Sequence, residues 1–91
     1  MYTVVPSKTF RRQMRKLRRG GRYDLRKLTR VIDFLAAGHI LAPKYRDHAL
    51  VGQLVYAREC HIAPDWLLIY RKDNDVLILE LLATGNHSEL F

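Results

Sequence analysis

The run Leu67-Leu68-Ile69-Tyr70 constrains this chain more than any other stretch. It is too short for a helix, it is entered through Pro64-Asp65-Trp66, and no polar residue interrupts it, so it predicts a strand buried on both faces. Such a strand needs covering layers, and 91 residues supply one domain rather than two. The residues just before it, Arg58 to His61, are polar and chemically capable. A reactive edge is therefore joined to a buried strand, and strand ends hold functional groups rigidly.

The covering material is legible on either side. Tyr2 to Val5 is a short β-branched and aromatic run stopped by Pro6, which predicts a first strand. Ser7 suits a helix N-cap, and Phe10, Met14 and Leu17 recur at i, i+4 and i+7 as the apolar stripe of a first helix ended by Gly20-Gly21. Asp24 can cap a second helix whose buried face is Leu25, Leu28, Val31, Ile32 and Leu35, ending near Gly38. The two read better as an αα-hairpin packed on a sheet than as a helix-turn-helix, because no third helix or base-reading polar face follows. Residues 39–52 lose periodicity and predict a loop of a length that is often functional. Gln53 to Glu59 predicts a strand, Lys72 to Asp75 a turn, and Val76 to Leu82 a further strand hairpinned to the first apolar run. Ala83 to Phe91 is expected to be a turn and short tail. The whole predicts a single α+β domain over residues 1–91 with a mainly antiparallel sheet.

Charge adds a direction. The net charge is +7, but residues 1–30 carry eleven basic side chains and one acid, a local balance of +10, while the rest of the chain balances at −3. Arg11, Arg12, Arg15, Lys16, Arg18 and Arg19 crowd the first helix around its apolar stripe. Such asymmetry points to a polyanion, and to nucleic acid before membrane, since no strongly apolar face accompanies it. No apolar run reaches the length of a membrane span and no signal-peptide pattern opens the chain, so a cytoplasmic location is expected. The single Cys60 rules out an internal disulfide framework.

Candidate chemistry rests on histidine, since imidazole exchanges protons near neutral pH without a perturbed pKa. His48 comes from the loop, and His61 and Asp65 flank the turn into the buried strand. Antiparallel pairing would bring Asp65, at the start of that strand, to the same sheet edge as His87, beyond the end of its neighbour. His39 reads as an ordinary loop histidine. Three histidines and an aspartate are competent zinc ligands, but their spacing is no recognised ligand pair and Cys60 would face away from His61. No nucleophile elbow and no phosphate-cradling glycine loop is present.

Taken together, YRDHAL (Tyr45 to Leu50), RECHIAPDWLLIY (Arg58 to Tyr70) and TGNHSELF (Thr84 to Phe91) resemble the signature of YafQ-type toxins in the RelE/ParE superfamily, and the resemblance spans the whole chain. It implies a β-α-α-β-β-β fold and an endoribonuclease that enters the ribosomal A site and cuts mRNA without a metal or other cofactor. It implies an antitoxin partner as well. His48, His61, Asp65 and His87 would then be catalytic, with Trp66 and Phe91 at the site. On chemical grounds His48 is expected as base, His87 as acid, and His61, oriented by Asp65, as stabiliser of developing charge, the first two roles being exchangeable. The basic residues of the first helix would grip ribosomal RNA. Ala83 departs from the family pattern, which often has arginine before the Thr-Gly pair, so Lys44, Arg46 or Arg58 is expected to supply the missing cation. The alternatives are a ParE-like toxin that inhibits DNA gyrase by binding, and a basic RNA-binding module with no chemistry.

Overall fold

The computed structural model describes residues 1–52 and 56–91. Its elements follow as β1 (Thr3–Pro6), α1 (Lys8–Gly20), α2 (Leu25–Ala36), β2 (His48–Ala49), β3 (Arg58–Ala63), β4 (Trp66–Asp73), β5 (Ile78–Gly85) and α3 (His87–Leu90). A 3-10 turn at Pro43–Tyr45 precedes β2.

Both long helices begin where their side chains dictate. Ser7 accepts from the Phe10 N–H at 3.0 Å while its own hydroxyl donates to the Leu82 carbonyl, also at 3.0 Å, so the cap of α1 is tied to β5. Gly21 ends α1 in the left-handed conformation, φ 63°, with its N–H returning to the Leu17 carbonyl. Asp24 caps α2 by accepting from the Arg26 N–H.

The described strands form one mixed sheet in the order β1-β5-β4-β3-β2. β1 pairs with β5 in parallel, and every other pairing is antiparallel. Pro6 ends β1 on an edge, where its missing N–H interrupts no ladder. α1 and α2 lie on one face: Phe10, Leu17, Leu28, Val31 and Leu35 pack with Cys60, Ile62, Trp66, Leu68, Tyr70, Leu79 and Leu81. Each large side chain fully buried in this layer contributes about 1.5–3 kcal/mol. Leu67 and Ile69, pointing the other way, are buried too, so the prediction of a strand covered on both faces holds.

Several boundaries differ from the sequence reading, each for a local reason. Of the strand expected over 53–59, residues 53–55 lie outside the described residues, and β3 begins at Arg58 and continues to Ala63, so His61, which flanks the turn, lies inside the strand before it. A register irregularity between His61 and Ala63 closes β3. The last strand starts at Ile78, not Val76, because the Asp73 carboxylate accepts from the Asp75 and Val76 N–H groups and Leu77 turns through φ 54°. Within the expected loop 39–52, His48–Ala49 pairs with β3 as a two-residue strand. The expected tail is the short helix α3, closed by a capping box between Asn86 and Glu89. Among the described residues, no helix is long and apolar enough to cross a membrane.

Candidate active site

Strand alternation sorts the polar edge onto two faces. Arg58, Cys60 and Ile62 point toward the helices, and Glu59 and His61 point away from them. The pairing of His48 with Glu59 adds a second imidazole to the outer face, and α3, entered from Gly85 beside Leu67, adds a third with His87.

Glu59 is the centre of this group. It is 5% exposed, with Oε2 3.2 Å from His48 Nε2 and Oε1 3.6 Å from His87 Nε2. A buried carboxylate is costly unless it is partnered; the two imidazoles are its neighbours here, and Oε1 still has no hydrogen bond. His48 Nδ1 lies 2.7 Å from the Arg46 carbonyl. Both of its ring nitrogens thus face oxygens of neighbouring residues. His87 is flanked similarly: Nε2 faces Glu59, Nδ1 stands 3.7 Å from Asp65 Oδ1, and its backbone N–H donates to the same oxygen at 3.5 Å. His61 has no hydrogen-bond or ion-pair partner among the described residues, and its ring centroid is 6.0 Å from that of His87.

The loop carrying His48 is fixed from the opposite face. Asp47 accepts from Arg58 Nε at 3.1 Å and from the Tyr70 hydroxyl at 2.7 Å. Burial first, then the Asp47 carboxylate, holds the Tyr70 phenol above its ordinary pKa. For Arg58, burial opposes the charge, but the Tyr70 hydroxyl and Asp47 carboxylate more than offset it and its pKa is raised. Burial likewise pushes the Cys60 thiol up to about 12, so it is inert as a nucleophile at neutral pH.

With that geometry in place, comparison with known proteins becomes informative. The family model described as "Bacterial toxin of type II toxin-antitoxin system, YafQ" matches residues 2–91. The chain belongs to the YafQ toxin family. The mRNA interferase toxin YafQ of Escherichia coli K12 is 36% identical over 69 residues, which is 75% of this chain and 73% of that protein. A metal-bound toxin from Helicobacter pylori superposes with a TM-score of 0.92 at 44% identity, covering 100% of both chains. YafQ in the E. coli DinJ–YafQ complex superposes at 0.89 with 27% identity, covering 100% of this chain and 99% of that one. Despite the H. pylori protein's metal, no group of three or more His, Cys, Asp or Glu among the described residues of this YafQ-family chain is set to hold a metal ion.

The structure brings His48, His61, Asp65 and His87 to one edge, as antiparallel pairing predicts for the last two. Three assignments change. The Asp65 carboxylate reaches His87 and not His61, because β3 carries His61 back along the sheet while α3 delivers His87 over the turn. Trp66 cannot meet a ligand: it is 1% exposed, its ring stacks on Tyr23 with centroids 4.5 Å apart, and its indole N–H donates to Thr84 Oγ1 at 3.0 Å. Arg58 sits on the helix-bearing face, held by Asp47, away from the imidazoles.

Phe91 is 62% exposed, with its ring centroid 6.0 Å from that of His87, so it remains open to a base. Lys44 and Arg46 line an open basin beside His61. Ala83 lies opposite Ile69 and brings no charge. On α1, all six basic residues named from the sequence are exposed, Lys16 pairing with Glu89 at 3.5 Å. Glu59 and Asp47 were assigned no role from sequence. The available signal for Glu59 was its i, i+2 spacing to His61, which places both on one face of any strand through them.

Proposed function

We propose that the protein is an endoribonuclease toxin that cuts mRNA in the ribosomal A site by metal-independent acid–base catalysis and is neutralised by a cognate protein antitoxin. The observation that carries this reading is Glu59, buried between His48 and His87 with His61 alongside. RNA carries its own nucleophile, so cleavage needs only a base for the 2′-hydroxyl, an acid for the departing 5′-oxygen, and positive charge near the phosphorane.

The hydrogen-bond pattern supports a distribution of roles different from the sequence-based one. His61, with its ring nitrogens unengaged among the described residues, takes the 2′-hydroxyl proton. The 2′-oxygen attacks phosphorus, the P–O5′ bond breaks, and a 2′,3′-cyclic phosphate forms. His87, flanked by Glu59 and Asp65, hands its proton to the leaving 5′-oxygen. His48, with both ring nitrogens facing oxygens of the protein, is poorly placed as a base and positions the Glu59 carboxylate beneath His87. Phe91 stacks on a base splayed out of the codon. Lys44 and Arg46 bring to the RNA backbone beside His61 the positive charge that Ala83 lacks, and the exposed arginines of α1 meet ribosomal RNA phosphates. The antitoxin partner is supported by the complex that the E. coli relative forms with DinJ.

The test is expression of the chain with and without His87→Ala, following growth, mRNA cleavage and ribosome association. The variant should associate with ribosomes yet cleave about 10²- to 10⁴-fold more slowly, the range for loss of one acid–base group. Undiminished toxicity without cleavage would favour inhibition by binding, as in the gyrase-directed alternative. Cleavage should also persist in EDTA, and its abolition there would overturn the metal-independent mechanism.

A further inference from the structure

Beside His61, between α2 and the turn preceding β2, an open basin of about 410 Å³ is lined by Lys27, Arg30, Lys44 and Arg46 together with Tyr45. No carboxylate lines it, and among the described residues none of the four cations forms an ion pair. Four unpaired cations around one concavity repel each other, and the concave wall focuses their field on whatever enters it. Two of them come from α2, an element to which the catalytic reading assigns nothing.

The backbone beneath Arg46 points the same way. Arg46 occupies the left-handed region at φ 50°, which glycine or asparagine enters more readily. Its carbonyl is the acceptor for His48 Nδ1. The residue that shapes the catalytic loop therefore also sends a guanidinium toward the basin. His61 belongs to both places, lining the basin and facing His87.

We infer that this basin is a phosphate subsite: Lys27, Arg30, Lys44 and Arg46 bind a backbone phosphate of the RNA strand next to the one being cleaved. The inference rests on the endoribonuclease reading for the strand's identity. It extends the substrate path across α2 and supplies, at the neighbouring phosphate, the positive charge that Ala83 does not. An acidic protein segment would suit the charge equally, but continuity with His61 favours RNA.

Lys27→Gln/Arg30→Gln removes half of the basin's charge from exposed helix positions, and Arg46→Gly removes a third cation while relieving its backbone. Binding is read by fluorescence anisotropy on a 2′-O-methyl oligoribonucleotide, which cannot be cleaved, across a salt series, with a polyglutamate peptide as the second probe. The expected result is at least a tenfold loss of RNA affinity in the double variant, with the slope of log affinity against log salt shallower by about 0.7 for each phosphate no longer neutralised. Arg46→Gly should lose RNA affinity while keeping or raising its Tm. Unchanged RNA affinity and slope in both variants would overturn the subsite, as would loss of polyglutamate binding with RNA binding intact. Because the probe is uncleavable, these outcomes bear on the basin alone, and His87→Ala bears on the catalytic reading alone.

Discussion

Glu59 shows how one buried side chain can place two neighbours. Its carboxylate is shielded from water and its partners are imidazoles whose side chains are about half exposed, so the two rings are positioned from beneath the surface on which RNA would lie. Replacing it by the isosteric amide keeps the shape and removes the charge. Glu59→Gln should reduce cleavage on the order of 100-fold, the cost of misplacing a catalytic group by about 1 Å. Its Tm should hold or rise, because a buried charge is lost. Parallel cleavage assays and thermal melts check both halves, and equal losses in each would reduce Glu59 to a structural residue. That His87 meets Asp65 at one edge was legible in sequence, because antiparallel pairing brings the end of β5 beside the start of β4. Glu59 was not, since its importance lies in burial, and burial of a glutamate depends on what β2 and α3 bring over it.

At the scale of elements, α3 has four residues, too few to persist alone in water, and owes its form to its first turn. Asn86 Oδ1 accepts from the Glu89 N–H and Glu89 Oε1 from the Asn86 N–H, both at 2.9 Å. A Cβ at Gly85 would come within 2.9 Å of that same Glu89 oxygen, so the residue before the cap leaves room for it. Asn86→Ala should therefore fray α3 and release His87, lowering the cleavage rate about tenfold or more while costing about 1 kcal/mol or less of global stability. Hydrogen exchange confined to residues 87–91 would report it, and an unchanged rate would show that His87 needs no helix. The capping box N-x-x-E was present in the sequence, but only Leu90 and Phe91 follow it, too few for a helical apolar stripe, so the segment read as a tail. The boundary errors have similar sources. Asp73 draws the turn onto Val76 and Leu77 although both are good strand formers, and β3 outruns its predicted end because β4 offers it a partner as far as Ala63.

For the molecule as a whole, the two-layer arrangement was legible from the apolar run and the two helix stripes, because burial patterns that strong admit few solutions. The parallel pairing of β1 was not, since a four-residue strand carries no mark of its neighbour. The layer between helices and sheet holds two groups whose pKa is raised, Cys60 from 9.0 to about 12 and Tyr70. The folded state keeps their protons after the unfolded chain has begun to release them. That stabilisation is complete below the unfolded values and is lost as pH climbs from about 9 toward 12. Melts at about pH 7, 9 and 10.5 should show Tm falling across the upper interval. Cys60→Ala should start lower, because of the cavity it leaves, and fall less steeply. A wild-type Tm that is flat to pH 10.5 would contradict the burial of both groups.

The pairing of β1 with β5 also governs when the molecule can exist. The second residue hydrogen-bonds into the end of α2, but the strand beginning at Thr3 has no partner until Ile78 to Leu81 have been made, and His87 comes later still. The helices, β2, β3 and β4 are therefore all made before the sheet can close its seam, and the residue that completes the imidazole edge follows β5 in the chain. Chain order thus acts as a safety catch: the edge that gathers the three imidazoles is assembled only after the seam beneath it can close.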